Sequence, residues 1–379
     1  MAAICAMFFA FCILHSELPQ TTQPATTTSQ PAADLATRLD AKIDDAMEKL
    51  RLSSVAVGVI REKDVVYRAA RGFANREKSE PATCDTLYGI GSITKTFTTT
   101  LLVMLRDDGV LALDDPISKY LPSDLPLPTS TRGDRQITLR HLATHSSGLP
   151  RVPPNLVALL PDPYGGYSVD DLYKGLGATG LIAPIGAKCA YSNLGVGLLG
   201  HLLERAASKG YDELLQTRIF GPLEMTNSFP RPTPELLIRM ARPYKGERCE
   251  KDAHTWTFDV LAPAGSIVSS VNDMMKYVAL QFRAGDAIET PIRGGSLAEL
   301  HRPQRLLDER WSAAVGLGWH ITPDRKIGEI VWHNGGLDGF HSFVGFCAKK
   351  RVGVVVLTNC DRDIDGLAME ILKLAAIGD

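Results

Sequence analysis

The spacing of apolar residues changes along the chain, and each spacing predicts a different kind of element. Segment 34–50 is expected to form an amphipathic helix, because its apolar residues recur at helical spacing. The apolar run 54–60 and the shorter run 65–67 flank a charged turn, which predicts a β-hairpin. A second helix is expected to begin at Ser92, a residue type favoured at helix starts, and to continue through the apolar residues 101–105.

The rest of the chain also divides into segments with helical patterns and segments with strand patterns. Segment 146–264 shows helical and loop patterns, with many prolines and glycines and almost no strand alternation. Before it, Thr138 is the predicted N-cap of a short helix, and after it a helix is expected near 274–282. The C-terminal part reads as four strands and a closing helix, expected at Gly316–Trp319, Glu329–Trp332, His341–Phe346, Arg351–Leu357 and Ile364–Ile377.

These elements predict an α+β fold in which one antiparallel sheet, flanked by helices, is built from both ends of the chain. Segments 34–145 and 265–379 would form this α/β lobe, and 146–264 would form an inserted, mainly helical lobe. A functional site is expected between the two lobes, where pockets tend to form.

The N-terminus reads as a targeting segment. Residues 1–18 are largely apolar and resemble a secretory signal, although no Lys or Arg precedes the apolar core. Residues 19–33 are rich in Pro, Thr, Gln and Ala and are expected to form a flexible linker. The prediction is therefore a periplasmic or secreted protein, with no integral membrane span in the mature chain.

Composition excludes several classes of partner. The 379 residues are 45% hydrophobic with a formal net charge of −2, and no basic stripe predicts a nucleic-acid partner. Of the seven cysteines, the five outside the N-terminal segment are scattered, so their spacing indicates neither a disulfide framework nor a zinc site. The nine histidines show no ligand spacing, so no metal is expected. The sequence makes no prediction of oligomeric state.

The candidate chemistry begins with Ser92 and Lys95. On a helix, residues three apart project from one face, so the hydroxyl and the amine would be neighbours. A lysine desolvated in a pocket can lose its proton near neutral pH and can serve as a base for a serine nucleophile. Ser-x-x-Lys alone is weak evidence, since a helix start with a solvated lysine looks the same.

Two further motifs could complete a site. Tyr191 and Asn193 lie on a loop that enters a helix, where a phenol could relay a proton and an amide could donate and accept. Segment 333–336, His-Asn-Gly-Gly, follows a predicted strand, and a free N–H at such an edge can bind an oxyanion. A plain β-turn would also favour Asn-Gly at this position.

Other motifs in the sequence do not favour a different class of enzyme. Segments 175–180 and 195–200 both match G-x-G-x-x-G, but neither follows a convincing strand, so close helix packing is the better interpretation. The sequence contains no G-x-S-x-G elbow, which argues against an α/β-hydrolase.

Taken in order, Ser92-Ile93-Thr94-Lys95, Tyr191-Ser192-Asn193 and His333-Asn334-Gly335 resemble the three motifs of serine β-lactamases and penicillin-binding proteins. The Tyr-x-Asn element is similar to that of class C β-lactamases, DD-peptidases, D-aminopeptidases and related esterases. The resemblance extends over roughly residues 40 to 375, including the stretches 109–122, 137–150, 264–270 and 316–319.

The resemblance implies a role for each motif residue. Ser92 would be the nucleophile that forms an acyl-enzyme, and Lys95 and Tyr191 would share the role of base in an order left open. Asn193 would orient Lys95 or the acyl side chain. The backbone N–H groups of Ser92 and Gly336 would form an oxyanion hole. The third-motif residues His333, Asn334 and Gly335 would contact the substrate. No cofactor is implied.

One position departs from the β-lactamase pattern. The third motif commonly opens with Lys, which helps to bind a substrate carboxylate, whereas this chain has His333. Neutral imidazole binds anions weakly, so the exchange argues against efficient β-lactam hydrolysis and resembles family members with peptidase or esterase activity. The leading hypothesis is a serine hydrolase acting on a β-lactam or small ester. The alternatives are a D-amino-acid peptidase, a dedicated carboxylesterase, and a sensor or scaffold that acylates without turnover.

Overall fold

The computed structural model describes residues 30–129, 135–157, 160–282, 291–307 and 313–377. The helices are α1 Gln30–Leu50, α2 Thr94–Asp107, α3 Leu139–Ala143, α4 Val169–Gly177, α5 Asn193–Ala207, α6 Tyr211–Leu215, α7 Pro234–Leu237, α8 Val271–Gln281, α9 Gly294–His301 and α10 Asp365–Ile377. The strands are β1 Ser54–Arg61, β2 Asp64–Asn75, β3 Glu80–Pro81, β4 Tyr88–Gly89, β5 Tyr244–Lys245, β6 Lys251–Asp252, β7 Val268–Ser269, β8 Arg305–Leu306, β9 Ala314–Val315, β10 His320–Asp324, β11 Gly328–Leu337, β12 Phe340–Cys347 and β13 Val352–Thr358.

The main sheet joins strands from both ends of the chain. Its nine strands follow the order β3-β2-β1-β13-β12-β11-β10-β9-β8, and neighbours run antiparallel. The central contact pairs residues 55–61 of β1 with 352–358 of β13. The predicted fold class, an α+β fold with an antiparallel sheet built from both ends, is confirmed.

Side-chain alternation divides the sheet into two buried faces. In β13, Val355 and Leu357 pack into the core that contains α2 and α8, whereas Val354 and Val356 pack against α1 and α10. Successive side chains of a strand point to opposite faces, so a central strand covered on both sides is apolar at every position. The same parity decides which residues of β11 reach the functional site.

Most predicted elements occur close to their expected places. The hairpin 54–67 is confirmed by the pairing of β1 with β2, and Thr138 caps α3 by accepting a hydrogen bond from the His141 N–H. The strand predicted at Gly316–Trp319 is wrong, because these residues connect β9 to β10. Gly318 has a φ of +73°, and its N–H donates to the Ala143 carbonyl, so the connection turns tightly instead of extending.

The predicted mainly helical segment holds helices α4–α7 and the short strands β5 and β6 among its described residues. Helix α1 begins at Gln30, inside the segment that was expected to be linker. The predicted signal segment and residues 19–29 of the linker lie outside the described residues. Among the helices that are described, none has the length and apolarity needed to cross a bilayer.

Of the two G-x-G-x-x-G matches, 195–200 lies within α5, whereas 175–180 covers the end of α4 and the residues that follow it. In α5, a Cβ added at Gly197 would lie 2.4 Å from Leu261, and one added at Gly200 would lie 2.1 Å from the Pro263 ring. These glycines let α5 approach the short helix Asp259–Ala264 closely. That short helix ends at Ala264, whose carbonyl belongs to the candidate site.

Cys249 and Cys360 form a disulfide with a Cα–Cα distance of 5.7 Å. The scattered spacing of the cysteines indicated no disulfide framework and did not predict this single pair. The two residues are 111 positions apart, so their spacing gave no signal. They meet because Tyr244, close to Cys249 in sequence, bridges to Cys360 at the end of β13.

Candidate active site

Ser92 lies in a single 3₁₀ turn, Gly91–Ile93, immediately before α2. Its side chain makes no capping hydrogen bond, so the expected capping role is replaced by a hydroxyl that faces Lys95. Gly91 has a φ of +50°, which a residue with a side chain rarely adopts, and this bend starts the turn. Ser92 is half-buried. Its hydroxyl is thus held at the edge of the core but open to a substrate.

Lys95 is fully buried one turn after Ser92. Its Nζ lies 2.9 Å from Oγ of Ser92 and donates to the Ala264 carbonyl at 2.5 Å. Among the described residues, no carboxylate forms an ion pair with this amine. Burial therefore lowers the pKa of Lys95 well below its ordinary value, and the positive charge of Arg151 lowers it further. A neutral amine beside a serine hydroxyl can accept its proton.

Tyr191 completes this group from the loop that precedes α5. Lys95 Nζ lies 4.9 Å from the centroid of its ring. Burial raises the pKa of Tyr191 to about 12, and a hydrogen bond with Ser92 partly opposes this rise. The structure thus brings Ser92, Lys95 and Tyr191 together, with a buried amine and a buried phenol close to the hydroxyl.

A buried histidine that the sequence analysis missed supports Tyr191. The ring of His145 lies 4.5 Å from the Tyr191 ring between centroids, and its Nδ1 accepts a hydrogen bond from the Ser192 N–H at 3.2 Å. Burial lowers the pKa of His145 to about 3, and the neighbouring basic side chains add to this shift, so it is neutral. The one signal in the sequence that could have identified His145 is its position just after α3, in the family-like stretch 137–150.

Asn193 is the first residue of α5, and among the described residues no hydrogen bond joins its side chain to Lys95. Its Nδ2 donates to the hydroxyl of Tyr164 at 3.1 Å. Its Oδ1 is buried and has no hydrogen-bond partner among the described residues. The described contacts therefore place it beside Tyr164, with one carbonyl oxygen free to accept a hydrogen bond from a bound molecule.

The third motif is part of strand β11, so its residues alternate between the two faces of the sheet. His333 is buried on the Ser92 side, and its ring centroid lies 6.4 Å from that of Tyr191. Asn334 faces the other side, where its Nδ2 donates to Asp365 at 2.6 Å. The expectation that Asn334 contacts substrate is therefore corrected, because strand parity turns it toward α10.

His333 is electrically neutral in this position. Its Nδ1 donates to the Asn334 carbonyl at 2.6 Å, which leaves Nε2 as the acceptor nitrogen. Burial lowers the pKa of His333 well below its ordinary value, and His320, 4.9 Å away between ring centroids, and Lys95 lower it further. A neutral, buried imidazole offers no positive charge to a substrate anion.

The two glycines of the motif lie against the Ser92 turn. A Cβ added at Gly335 would lie 2.9 Å from the Ser92 amide nitrogen, and one added at Gly91 would lie 3.0 Å from the Gly336 amide nitrogen. Strand β10 pairs with residues 328–332 only, so beyond them this edge of β11 has no strand partner among the described residues. The amide nitrogens of Ser92 and Gly336 therefore lie close to each other at this edge, an arrangement that an oxyanion hole requires.

One cluster has side chains of metal-ligand type. His341, Asp363 and Asp365 offer three ligand atoms within 4.8 Å of one another. Asp365 already accepts from Asn334, and His341 Nε2 lies 3.0 Å from its other oxygen. These bonds link the sheet to α10, on the face opposite Ser92. The absence of a metal stays a prediction.

This arrangement can be compared with known proteins. The family model described as Beta-lactamase matches residues 39–377. The chain belongs to the β-lactamase family. Relatives include the D-alanyl-D-alanine-carboxypeptidase/endopeptidase AmpH of Escherichia coli strain K12, 31% identical over 284 residues that cover 72% of this chain and 71% of AmpH. Esterase EstB of Burkholderia gladioli is 32% identical over 225 residues, 57% of this chain and 56% of EstB.

A solved relative agrees with this family assignment. The β-lactamase/D-alanine carboxypeptidase of Yersinia pestis, crystallised with citrate, superposes with a TM-score of 0.77 at 27% identity, covering 93% of this chain and 99% of that one. The resemblance inferred from the three motifs is confirmed, and this β-lactamase-family protein is a serine hydrolase.

The burial of Lys95 makes a prediction about stability. Unfolded lysine is protonated below pH ~10.4, whereas folded Lys95 has a lowered pKa, so wild-type stability rises with pH through this window. Replacing Lys95→Met removes that dependence. The stability of the variant relative to wild type, measured as the difference in free energy of unfolding, should therefore be highest near pH 7. This difference should decline by up to about 1.4 kcal/mol per pH unit toward pH 10.

Urea denaturation of both proteins at pH 7 and pH 10 measures this difference. Ser92→Ala serves as the control, since its difference from wild type should be the same at both pH values. A Lys95→Met difference that does not change with pH would mean that Lys95 is protonated in the folded protein.

Proposed function

We propose that this β-lactamase-family enzyme cleaves an ester or amide through an acyl intermediate on Ser92. The observation that supports the proposal most strongly is the fully buried Lys95 amine, 2.9 Å from the Ser92 hydroxyl and without a carboxylate partner among the described residues. Such an amine is a base at neutral pH, and a serine hydroxyl needs a base in order to attack a carbonyl.

The environments of Lys95 and Tyr191 support an order for the proton transfers. Lys95 is neutral and takes the proton as Ser92 Oγ bonds to the carbonyl carbon, whereas the raised pKa of Tyr191 keeps its phenol protonated. When the bond to the leaving group breaks, the Tyr191 phenol gives its proton to that group and is reprotonated from the Lys95 ammonium. In the second half-reaction, water attacks the acyl-enzyme and the same groups return the proton to Ser92.

The amides of Ser92 and Gly336 are proposed to bind the oxyanion of each tetrahedral intermediate. Each preorganised donor of this kind contributes about 2.7–4 kcal/mol to the lowering of a barrier in other enzymes. Gly335 permits this approach, since a side chain there would collide with the Ser92 turn. Asn193 Oδ1, buried and unpartnered among the described residues, would accept a hydrogen bond from an amide N–H of the acyl group.

The substrate class follows from the third motif and from the relatives. A neutral His333 in place of a lysine favours small esters and promiscuous β-lactam cleavage over efficient β-lactamase activity. The 31% identity to AmpH favours a second candidate, a D-alanyl peptide, because that relative is named a D-alanyl-D-alanine carboxypeptidase/endopeptidase.

The proposed reaction is tested by Ser92→Ala. Turnover of both nitrocefin and a p-nitrophenyl ester should fall by at least about 1,000-fold, because no acyl-enzyme can form.

Tyr191→Phe should reduce the turnover of the same substrates by about 100-fold to 10,000-fold, the usual range for a general acid–base group. Initial rates measure both effects, and unchanged melting temperatures show that the variants fold. Full ester hydrolysis by Ser92→Ala would remove Ser92 from the mechanism, and adding D-Ala-D-Ala peptides to the panel decides between the substrate classes.

We also propose that the protein acts outside the cytoplasm. The Cys249–Cys360 disulfide supports this, because disulfides persist in oxidising compartments, and the apolar N-terminal residues are typical of an export signal. After expression of the full chain in Escherichia coli, protein released by osmotic shock should resist alkylation at Cys249 and Cys360 until it is reduced. Retention in the cytoplasm with both thiols free would contradict the proposal.

A further inference from the structure

Arg151 stands at the mouth of the candidate site on the side of Tyr191. Its main-chain carbonyl accepts hydrogen bonds from the N–H groups of Asn193 at 2.8 Å and Leu194 at 3.2 Å. Its guanidinium carbon lies 5.2 Å from the centroid of the Tyr191 ring, and the residue is exposed. The backbone is thus fixed to the first turn of α5, while the charged group lies over a proposed catalytic side chain and faces solvent.

The charge of Arg151 is not neutralised by the protein. Among the described residues, no carboxylate forms a hydrogen bond or an ion pair with its guanidinium. Other arginines show the usual arrangement, as Arg71 pairs with Asp40 and Asp44. The neighbours of Arg151 across the site add no negative charge, because they are a tyrosine, a buried amine and neutral histidines. Its positive charge contributes to the lowered pKa values of Lys95 and His145.

An uncompensated guanidinium beside a nucleophile suits a negatively charged ligand. A guanidinium binds a carboxylate through two parallel hydrogen bonds and can stack on an aromatic ring at the same time. His333 cannot serve this purpose, since it is buried and its Nδ1 is already bonded to the Asn334 carbonyl. Within the described part of the site, Arg151 is the exposed cation in contact with Tyr191.

We propose that Arg151 binds a carboxylate of the substrate and makes the enzyme selective for anionic acyl substrates. This inference rests on the proposed acyl-Ser92 reaction and adds to it the charge of the substrate. The carboxylate could belong to the acyl group or to the leaving group, and the two positions are distinguished by the substrates of the test. In either position, Arg151 acts in binding and the chemistry stays with Ser92, Lys95 and Tyr191.

The test compares esters that differ only in a carboxylate. Mono-p-nitrophenyl adipate and p-nitrophenyl hexanoate form the acyl-side pair, and 3-carboxyphenyl hexanoate and phenyl hexanoate form the leaving-group pair. For Arg151→Gln, kcat/KM should fall by about 10-fold to 100-fold on the anionic member of one pair, mainly through KM, because a hydrogen bond to a charged group is lost. The neutral members should change little, and Arg151→Lys should recover part of the loss.

The matched control is Arg239→Gln. Arg239 is also exposed, with its guanidinium carbon 5.6 Å from the Phe229 ring centroid, and it has no contact with the Ser92 group. This variant should leave all four substrates unaffected. If Arg151→Gln slows neutral and anionic esters equally, or slows none of them, the inference is overturned and Arg151 serves only to tune Lys95 or to pack on Tyr191.

Failure of the proposed reaction would look different. If the wild type hydrolyses none of the esters, the acyl-Ser92 proposal falls for this substrate class. The role of Arg151 is then judged by calorimetric binding to the Ser92→Ala protein of the anilides of adipic and hexanoic acid. Weaker binding of the adipic monoanilide alone after Arg151→Gln supports a carboxylate site, and equal binding of both anilides by the two proteins overturns it.

Discussion

The burial of the Lys95 amine is the constraint on which the rest of the site depends. An ammonium group taken out of water without a counter-ion is strongly unfavourable, so the group becomes neutral instead. The surroundings maintain this state, because Nζ meets a hydroxyl and the Ala264 carbonyl and no described carboxylate. That carbonyl is positioned in turn by the close packing of α5 on the short helix 259–264, which requires Gly197 and Gly200. Core packing thus positions the Lys95 amine as the base for serine chemistry, and burying this amine lowers the stability of the folded protein.

Much of this could be predicted from the sequence, for identifiable reasons. Local patterns located the β1–β2 hairpin and the Thr138 cap, because short-range spacing determines both. The family motifs identified Ser92, Lys95 and Tyr191, which the fold brings together from distant segments. The family resemblance assigned Asn334 to substrate contact, but the residue lies within β11, where strand parity directs it to α10. The Cys249–Cys360 pairing, the support of Tyr191 by His145 and the position of Arg151 depend on tertiary contacts that no local pattern reports.

The two basic side chains of the site, Lys95 and Arg151, contribute to its chemistry in different ways. Lys95 is enclosed and neutral, so it exchanges protons with Ser92, whereas Arg151 is exposed and permanently charged, so it is suited to binding. His333, where the related β-lactamase motif commonly has Lys, is neutral and is occupied by the backbone. We therefore infer that this enzyme binds a substrate anion through Arg151, in the loop before α4, and not through a residue of β11. Such a shift would change substrate choice without altering the nucleophile and its base.

The central claim, that Lys95 is a neutral amine in the folded enzyme, can be measured directly. Protein labelled with ¹³C at the lysine ε carbon gives one resonance per lysine, and the resonance lost in Lys95→Met identifies Lys95. The account predicts that this resonance already has the chemical shift of a neutral amine at pH 7 and titrates well below the other lysines. A Lys95 resonance that titrates near pH ~10.4 with the exposed lysines would contradict it.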